Sequence, residues 1–168
     1  MVKVFAKGSS FGVPPLAILV VFTVIVFFDT SKLGAFRVDD WIYLNPKSSL
    51  RAGLILSGIL EMFRSIDSPY WHPATRLSFA FDFEFAGDHW GWFHWVNVTL
   101  HAGSVAGLGQ LFYSIVGLRS AALAGSLFWA LHPLRVESVA WLAERKDVLS
   151  GFSGSRLYLP IGPSLLVC

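Results

Sequence analysis

An uncharged apolar stretch, Phe11–Phe28, constrains the fold of this chain more than any other feature of its sequence. At a rise of about 1.5 Å per residue, a helix over this stretch is roughly 27 Å long, close to the thickness of the hydrocarbon core of a bilayer. A cleaved signal peptide is the alternative, but its apolar core is usually only about 7–15 residues long, and no clear cleavage site of small residues follows Phe28. We therefore predict a retained membrane-spanning helix. Lys3 and Lys7 precede it, which predicts a cytoplasmic N-terminus.

The composition also favours a membrane protein. Hydrophobic residues make up 54% of the chain and charged residues 14%, whereas soluble domains carry about 25% charged residues. The 7 Trp and 15 Phe residues suit a membrane interface. The net charge is only +2 and the sequence has no run of Lys and Arg, so we expect the lipid bilayer and not a nucleic acid as a partner. The single cysteine, Cys168, excludes an internal disulfide and a Cys-based metal cluster.

Two further apolar stretches predict a polytopic, all-α membrane protein. Trp90–Leu118 carries no charge and is long enough to span a bilayer with tilt. The apolar run that begins at Ala121 reaches Pro133 after about 16 Å of helix, which is too short to cross. Either the span continues past Pro133, or the helix breaks there and faces protein or water. We predict spans near residues 11–28, 90–118 and 120–143 within one membrane region, 1–151.

The segment between the first two spans, residues 29–89, is predicted to be a long extracytoplasmic loop. It mixes charged with aromatic residues, which is typical of amphipathic pieces that lie on a membrane surface. Within it, Leu77–Phe85 alternates with a period of two, as a strand does. A lone strand at a bilayer surface would leave its backbone edges unpaired, so we predict a helix there. Counting crossings from a cytoplasmic N-terminus places this loop and the later segment His132–Asp147 on the same, extracytoplasmic side.

Asp39 and Asp40 are the first candidate catalytic residues. Adjacent carboxylates repel each other, which raises the pKa of one of them. That carboxylate then binds a proton more readily and can act as a base. The pair could also bind a divalent cation. The alternative is a structural role as a solvated acidic turn or a helix cap.

The segment His132–Asp147 contains the second set of candidates. Its three cations, Arg135, Arg145 and Lys146, suit a phosphate group, because Arg offers a bidentate fork and Lys a point charge. The polar residues that could support them are His132, Glu137, Glu144 and Asp147. The alternative is an interfacial cluster that holds a helix at the membrane surface by snorkelling side chains and internal salt bridges.

His94, Asn97 and His101 lie within the second predicted span and share one helical face, which predicts that they face other helices and not lipid. The two histidines are about 10 Å apart along the helix axis, too far to share one metal ion. Interhelical hydrogen bonding is favoured over catalysis, and an ion or solute carrier that uses this face is a further alternative. In the loop, His72 and Arg76 could bind an acceptor or hold the loop at the interface.

Four phrases of the sequence, in this order, resemble a known family: VDDWIYLNP (38–46), YWHPATRLS (70–78), FHWVNVTLH (93–101) and LHPLRVESVAWLAERKDVLS (131–150). Together they are similar to the N-terminal membrane region of the transmembrane and tetratricopeptide-repeat protein O-mannosyltransferase family, including its bacterial relatives, over residues 11–151. The resemblance implies the glycosyltransferase-C fold, a polytopic helical bundle that uses polyprenyl-phosphate-linked sugars. It also implies that an acidic residue in the first extracytoplasmic loop, here Asp39 or Asp40, is the catalytic or metal-associated group.

The function that this resemblance implies is transfer of a sugar, with mannose as the candidate, from a polyprenyl phosphate to a protein hydroxyl. Arg135, Arg145 and Lys146 would then offset the charge of the departing phosphate, while His72 and Arg76 would contact acceptor or donor. Family members continue into further spans and helical repeats, whereas residues 152–168 make a poor fourth span. We therefore expect an N-terminal fragment, truncated or frameshifted. The alternative is a catalytically inactive membrane fragment with a structural or interaction role.

Overall fold

The computed structural model describes residues 11–35, 39–44, 48–52, 54–64 and 71–165, and all regular structure in these residues is helical. Eight α-helices occur in them: α1 (Val13–Phe27), α2 (Asp40–Leu44), α3 (Leu56–Arg64), α4 (Pro73–Ala86), α5 (Trp90–Val116), α6 (Arg119–Ala130), α7 (Pro133–Ala140) and α8 (Arg145–Leu165). Short 3₁₀ turns lie at Phe28–Lys32, Ser49–Ala52 and Leu142–Glu144. Lys3, Lys7 and Cys168, on which predictions of orientation and cysteine chemistry rest, lie outside the described residues.

The prediction of a helix over Leu77–Phe85 is confirmed, because α4 contains all of these residues. Pro73 opens the helix, where its missing N–H would have no helical partner in any case. Phe79 is buried on one side of α4, whereas Phe81 and Phe85 are exposed on the other. The strand-like alternation therefore arises because both sides of this helix carry aromatic residues.

α5 is the central helix of a bundle, and α1, α6 and α8 pack around it. α1 runs antiparallel to α5. Near one end the Phe11 amide donates to Gln110 Oε1 at 2.9 Å, and near the other the rings of Phe28 and Trp95 are 5.4 Å apart. α6 returns antiparallel after Gly117, whose left-handed φ of 71° ends α5.

α8 runs parallel to α5 and packs on its glycine-rich side. A Cβ atom at Gly103 would lie 2.6 Å from the ring of Phe152, and a Cβ atom at Gly107 would lie 2.6 Å from the side chain of Ser155. This Gly-x-x-x-Gly spacing places two residues without side chains on one face, which allows two helices to approach closely. The predicted tail that begins at residue 152 is thus a continuation of α8 as far as Leu165, and its first residues pack against α5.

Gly107→Ala is expected to lower the free energy of unfolding by about 1–3 kcal/mol, because the new methyl group would overlap Ser155 between two packed helices. Gly154→Ala is the matched control, since a Cβ atom at this position of α8 meets nothing within 4 Å. The control should be neutral or stabilise by up to about 1 kcal/mol, because alanine is the better helix former. Chemical unfolding in detergent micelles compares the two variants, and equal effects would contradict the close packing of α5 and α8.

The apolar run over residues 120–143 forms two helices with a break between them. α6 ends at Ala130, and His132 has an extended backbone (φ −62°, ψ 135°) before Pro133 opens α7. Proline has no N–H and disfavours a helical backbone in the residue before it, so the helix must end here. The His132 side chain takes over as a cap, because its Nδ1 accepts from the Leu134 amide at 3.3 Å. The sequence leaves open whether the helix continues past Pro133 or breaks there, and the structure shows that it breaks.

Among the described residues, one helical segment is long and apolar enough to cross a membrane: α1 with the turn that follows it, Val13–Lys32. Most of this segment lies on the surface of the bundle, where a lipid-facing helix is expected. α5 is longer, with 27 residues, but its histidines, its asparagine and its glycines make it less apolar. The described helices therefore give an all-α bundle with one candidate membrane helix, and the further spans remain a proposal.

Short helices cover the end of α5 that contacts the last residues of α1. α2, α3 and α4 pack there with the start of α5 and with the turn Leu142–Glu144, around a core that includes Tyr43, Leu44, Leu50, Met62, Phe79, Phe93 and Leu142. We call residues 39–44, 48–52, 54–64 and 71–86 the cap. The cap and the turn Leu142–Glu144 hold five of the candidate functional residues: Asp39, Asp40, His72, Arg76 and Glu144.

Candidate functional site

The two adjacent aspartates have different environments. α2 begins at Asp40, whose side chain is 1% exposed and accepts a hydrogen bond from the Ala143 amide at 2.7 Å. Asp39, one residue earlier, is exposed. The hydrogen bond joins the segment that contains Asp40 to the segment His132–Asp147, and their common extracytoplasmic position stays a prediction. Asp39 is thus the carboxylate of the pair that solvent reaches.

A fully buried arginine lies two residues after Ala143. Arg145, the first residue of α8, forms an ion pair with Asp82 of α4, and its Nε donates to Asn97 Oδ1 at 2.8 Å. A terminal nitrogen of the same guanidinium donates to the Phe93 carbonyl oxygen at 2.8 Å. We call Asp82, Phe93, Asn97 and Arg145 the Arg145 network. It joins α4, α5 and α8 in the interior of the protein.

The charge of Asp82 depends on its partners. Burial raises the pKa of Asp82 above its ordinary value, whereas the charge and the hydrogen bond of Arg145 lower it part of the way back, as does the hydrogen bond from Trp92. The Trp92 indole donates to Asp82 Oδ1 at 3.0 Å. The Arg145 guanidinium also lies 4.2 Å from the centre of the Phe79 ring, a cation–π contact. Removal of Arg145 would therefore leave a desolvated carboxylate without its counter-ion.

The three cations predicted to bind a phosphate have three different settings. Arg145 is 0% exposed and binds the other members of its network, so it does not offer its fork to a ligand in this arrangement. Lys146 Nζ lies 2.6 Å from Glu144 Oε1. The Arg135 guanidinium lies 5.0 Å from the centre of the Trp129 ring. Contact of Arg135 and Lys146 with a donor phosphate stays a prediction.

The other polar residues of the segment His132–Asp147 make local contacts or face solvent. His132 caps α7, and Glu137 of that helix is exposed. Asp147 Oδ2 is 3.5 Å from Ser138 Oγ, at the edge of hydrogen-bonding distance. The Ser138–Asp147 contact joins α7 to the start of α8. A role of His132, Glu137, Glu144 or Asp147 in orienting a donor stays a prediction.

His94, Asn97 and His101 lie on the buried side of α5, as their spacing predicts. Asn97 Nδ2 donates to the Val139 carbonyl oxygen of α7 at 3.2 Å, and His101 Nε2 lies 3.1 Å from the Ala130 carbonyl oxygen of α6. Both are the interhelical hydrogen bonds that the sequence favours. The ring nitrogens of His94 make no well-formed hydrogen bond within the part of the chain that the structure describes.

His72 and Arg76 lie at the start of α4. His72 precedes the first residue of the helix, and its Nδ1 is 3.5 Å from Tyr43 Oη of α2. Arg76 is buried in the first turn of α4. His72 therefore lies beside the short helix that begins at Asp40, and contact of either residue with an acceptor or donor stays a prediction.

Within the described residues, no three side chains of His, Cys, Asp or Glu converge as metal ligands would. A divalent cation at Asp39 and Asp40 therefore has no third protein ligand of these types in that part of the chain. A small cavity of about 120 Å³ lies in the cap, but none of the predicted site residues lines it; its walls are Leu50, Arg51, Phe83, Glu84 and Gly87.

Asp82 is the important residue that the sequence interpretation missed. A signal for it was present in Leu77–Phe85, because a helix over this stretch places Asp82 three residues after Phe79 on the same side. A lone carboxylate on an aromatic, buried helix face needs a partner, since burial of an unpaired charge is costly. The partner, Arg145, is 63 residues away in sequence, and no local pattern identifies it.

Comparison with known proteins relates part of the chain to a glycosyltransferase. The chain is 34% identical over 82 residues to a Xenopus laevis protein described as "Protein O-mannosyl-transferase tmtc2". The match covers 48% of this chain and spans only 10% of the length of that relative. No family model matches the chain, and no solved structure matches it. The likeness supports a relation to protein O-mannosyltransferases over about half of the chain, at the coarse level of a glycosyltransferase.

Proposed function

We propose that this chain is a membrane glycosyltransferase, or the N-terminal part of one, that transfers a sugar from a polyprenyl-phosphate donor to a protein hydroxyl. The observation that carries the proposal is the Asp39–Asp40 turn, in which an exposed carboxylate adjoins a buried one that is bonded to Ala143. The partial likeness to a protein O-mannosyl-transferase supports the same class of reaction. Mannose is the proposed sugar.

Asp39 is the proposed general base. Its carboxylate takes the proton of the acceptor hydroxyl while the hydroxyl oxygen attacks the anomeric carbon, and the polyprenyl phosphate leaves with the electrons of the broken C–O bond. A well-placed base contributes about 10²–10⁴-fold to such a rate. Arg135 and Lys146 are proposed to offset the charge of the departing phosphate. Direct attack inverts the anomeric centre.

The place of this turn in the fold supports a reaction at a membrane surface. The start of α5 contacts the end of α1 through Trp95 and Phe28, and it binds Arg145 through Phe93. Ala143, whose amide bonds to Asp40, precedes Arg145 by two residues. The turn that contains Asp39 therefore lies near the C-terminal end of α1. The phosphate of a lipid-linked donor lies just outside the hydrocarbon core, which is the depth that we propose for this turn. With a cytoplasmic N-terminus the site is extracytoplasmic, and the proposed further spans are α5 and the pair α6 and α7, which follow α5 past His101 and Asn97.

Asp39→Asn is expected to lower sugar transfer at least about 100-fold, because asparagine cannot accept the proton of the hydroxyl. Asp40→Asn is expected to cost much less, since the amide oxygen of asparagine can still accept the hydrogen bond from Ala143. The assay uses membranes that contain the chain, a labelled polyprenyl-phosphate sugar and a peptide rich in Ser and Thr. The label incorporated into the peptide is measured.

Asp29→Asn is the matched control for this assay. Asp29 is an exposed aspartate of the same loop and pairs with Lys32 at 2.5 Å, so its loss should change transfer by no more than about twofold. Absence of transfer by the unchanged chain would contradict the proposed enzyme. An equal loss in Asp39→Asn and Asp40→Asn would contradict the assignment of Asp39 as the base.

A non-catalytic membrane protein with a structural or interaction role is the second candidate. The burial of Arg145 favours it, because the guanidinium binds Asp82, Asn97 and Phe93 and not a ligand. A chain that unfolds cooperatively in detergent but transfers no sugar would support this candidate.

A further inference from the structure

We propose that Arg145 and Asn97 are positioning residues that hold the turn Leu142–Glu144, and through it the Asp39–Asp40 turn, in its place. The catalytic meaning of this inference rests on the proposed function of Asp39. The mechanical coupling between the two turns does not, because it follows from hydrogen bonds among the described residues.

The turn Leu142–Glu144 is held at both of its ends by one side chain of α5. Before the turn, the Val139 carbonyl oxygen accepts from Asn97 Nδ2 at 3.2 Å. After the turn, Arg145 Nε donates to Asn97 Oδ1 at 2.8 Å. The Asn97 amide thereby uses both its donor and its acceptor on the two sides of the same turn.

Arg145 also connects the turn to the cap. Its ion pair with Asp82 binds the start of α8 to α4, and its hydrogen bond to the Phe93 carbonyl adds a second contact with α5. The Arg145 amide donates to the Leu142 carbonyl oxygen, which closes the turn directly onto the arginine. The backbone of Ala143 therefore has little freedom to move relative to the guanidinium.

Ala143 connects the turn Leu142–Glu144 to the two aspartates. Its amide donates to the buried Asp40 side chain at 2.7 Å, a short hydrogen bond. The Asp39 carbonyl oxygen accepts from the Ile42 amide at 3.0 Å, so Asp39 is part of the first turn of α2 and moves with it. Displacement of a catalytic group by about 1 Å can cost on the order of 100-fold in rate. Loss of the Arg145 network should therefore displace Asp39, although Arg145 and Asn97 are both fully buried.

Hydrogen–deuterium exchange of the full chain in detergent micelles tests the coupling without any need for activity. Arg145→Lys keeps a positive charge near Asp82 but lacks the fork that binds Asn97 and Phe93. We expect amide exchange at residues 39–44 and 141–144 to become at least about tenfold faster, while exchange in the packed region of α6 and the end of α5 stays unchanged. Arg119→Gln, which changes a cation at the start of α6 beside Tyr113 and away from the network, should leave residues 39–44 unchanged. Unchanged exchange at residues 39–44 in Arg145→Lys, or a uniform increase along the chain, would overturn the proposal.

A second variant keeps the test decisive if Arg145→Lys does not fold. Coupling between two elements is reciprocal, so Asp40→Ala, which removes the acceptor of the Ala143 amide, should raise exchange at residues 141–144 by a similar factor. No change there would overturn the inference. In the sugar-transfer assay, Arg145→Lys is expected to lower kcat with little change in KM for the acceptor peptide, because the binding groups stay in place. If the unchanged chain transfers no sugar, the proposed function fails while the exchange data still decide the coupling.

Discussion

Replacement of Arg145 with methionine is expected to lower the free energy of unfolding by about 3–5 kcal/mol. The loss arises because Asp82 then remains buried without its counter-ion, and because Asn97 and the Phe93 carbonyl lose a donor. Urea unfolding in detergent micelles, followed by tryptophan fluorescence, measures the change.

Arg135→Met is the matched control for Arg145→Met. Arg135 is only partly buried and its guanidinium lies 5.0 Å from the Trp129 ring centre, so its loss should cost no more than about 1 kcal/mol. The double variant Arg145→Met with Asp82→Leu should recover most of the loss, since no buried charge is left unpaired. Equal stabilities of the Arg145→Met and Arg135→Met variants would contradict the central place of the Arg145 network.

The loss of stability in Arg145→Met is expected to depend on pH. Burial already raises the pKa of Asp82, and without Arg145 the pKa rises further because the largest opposing influence is gone. A group whose pKa is raised by folding favours the folded state at low pH, and this contribution is lost as pH rises through the folded-state pKa. The deficit of Arg145→Met relative to the unchanged chain should therefore be smaller at about pH 4 than at about pH 8.

Phe79→Ala is expected to cost about 3–5 kcal/mol of unfolding free energy. Phe79 is 0% exposed and packs the cap against α5, because the centre of its ring lies 5.4 Å from that of Tyr43 and 6.1 Å from that of Phe93. The ring also lies beneath the Arg145 guanidinium, so its removal opens a cavity next to a buried charge. Thermal unfolding in detergent, compared at equal protein concentration, reports the loss.

Phe81→Ala provides the matched control on the same helix. Phe81 is 45% exposed and stacks on Phe85, which is also exposed, with ring centres 6.5 Å apart. Its replacement should change the stability in detergent by less than about 1 kcal/mol, because it fills no internal space. A loss as large as that of Phe79→Ala would mean that the exposed side of α4 is packed against something in the detergent-solubilised protein.

Several elements could be predicted without the structure, and each depends on local physics. The uncharged stretch Phe11–Phe28 can satisfy its backbone in an apolar environment only as a helix, and α1 is that helix. The same argument predicts α4 where the period-two pattern of Leu77–Phe85 indicates a strand. Pro133 must end or bend a helix, so the sequence already predicted that the helix either continues past this residue with a bend or breaks there.

The different environments of the two adjacent aspartates could not be predicted. Asp39 and Asp40 have the same side chain and adjacent positions, so their mutual repulsion predicts that their proton affinities differ but not which of them is higher. Which of them is buried depends on the direction in which α2 begins and on the distant amide of Ala143, which is 103 residues further along the chain. The burial of Arg145 could not be predicted for the same reason, because its counter-ion, Asp82, lies on another helix.

By itself, the sequence predicted an apolar, helical chain, and of its three predicted spans the first, Phe11–Phe28, is the one whose helix is long and apolar enough to cross a bilayer. It placed the candidate polar groups in the first loop, in the second predicted span and in His132–Asp147. Hydropathy, helix periodicity and proline are properties of neighbouring residues, and they act before any distant contact forms. The tertiary structure alone decided that Asp40 is bonded to Ala143 while Asp39 faces solvent, and that Arg145 is buried with Asp82 and Asn97. The physical reason is that burial and pairing of charges depend on which side chains the packed helices bring within hydrogen-bonding distance.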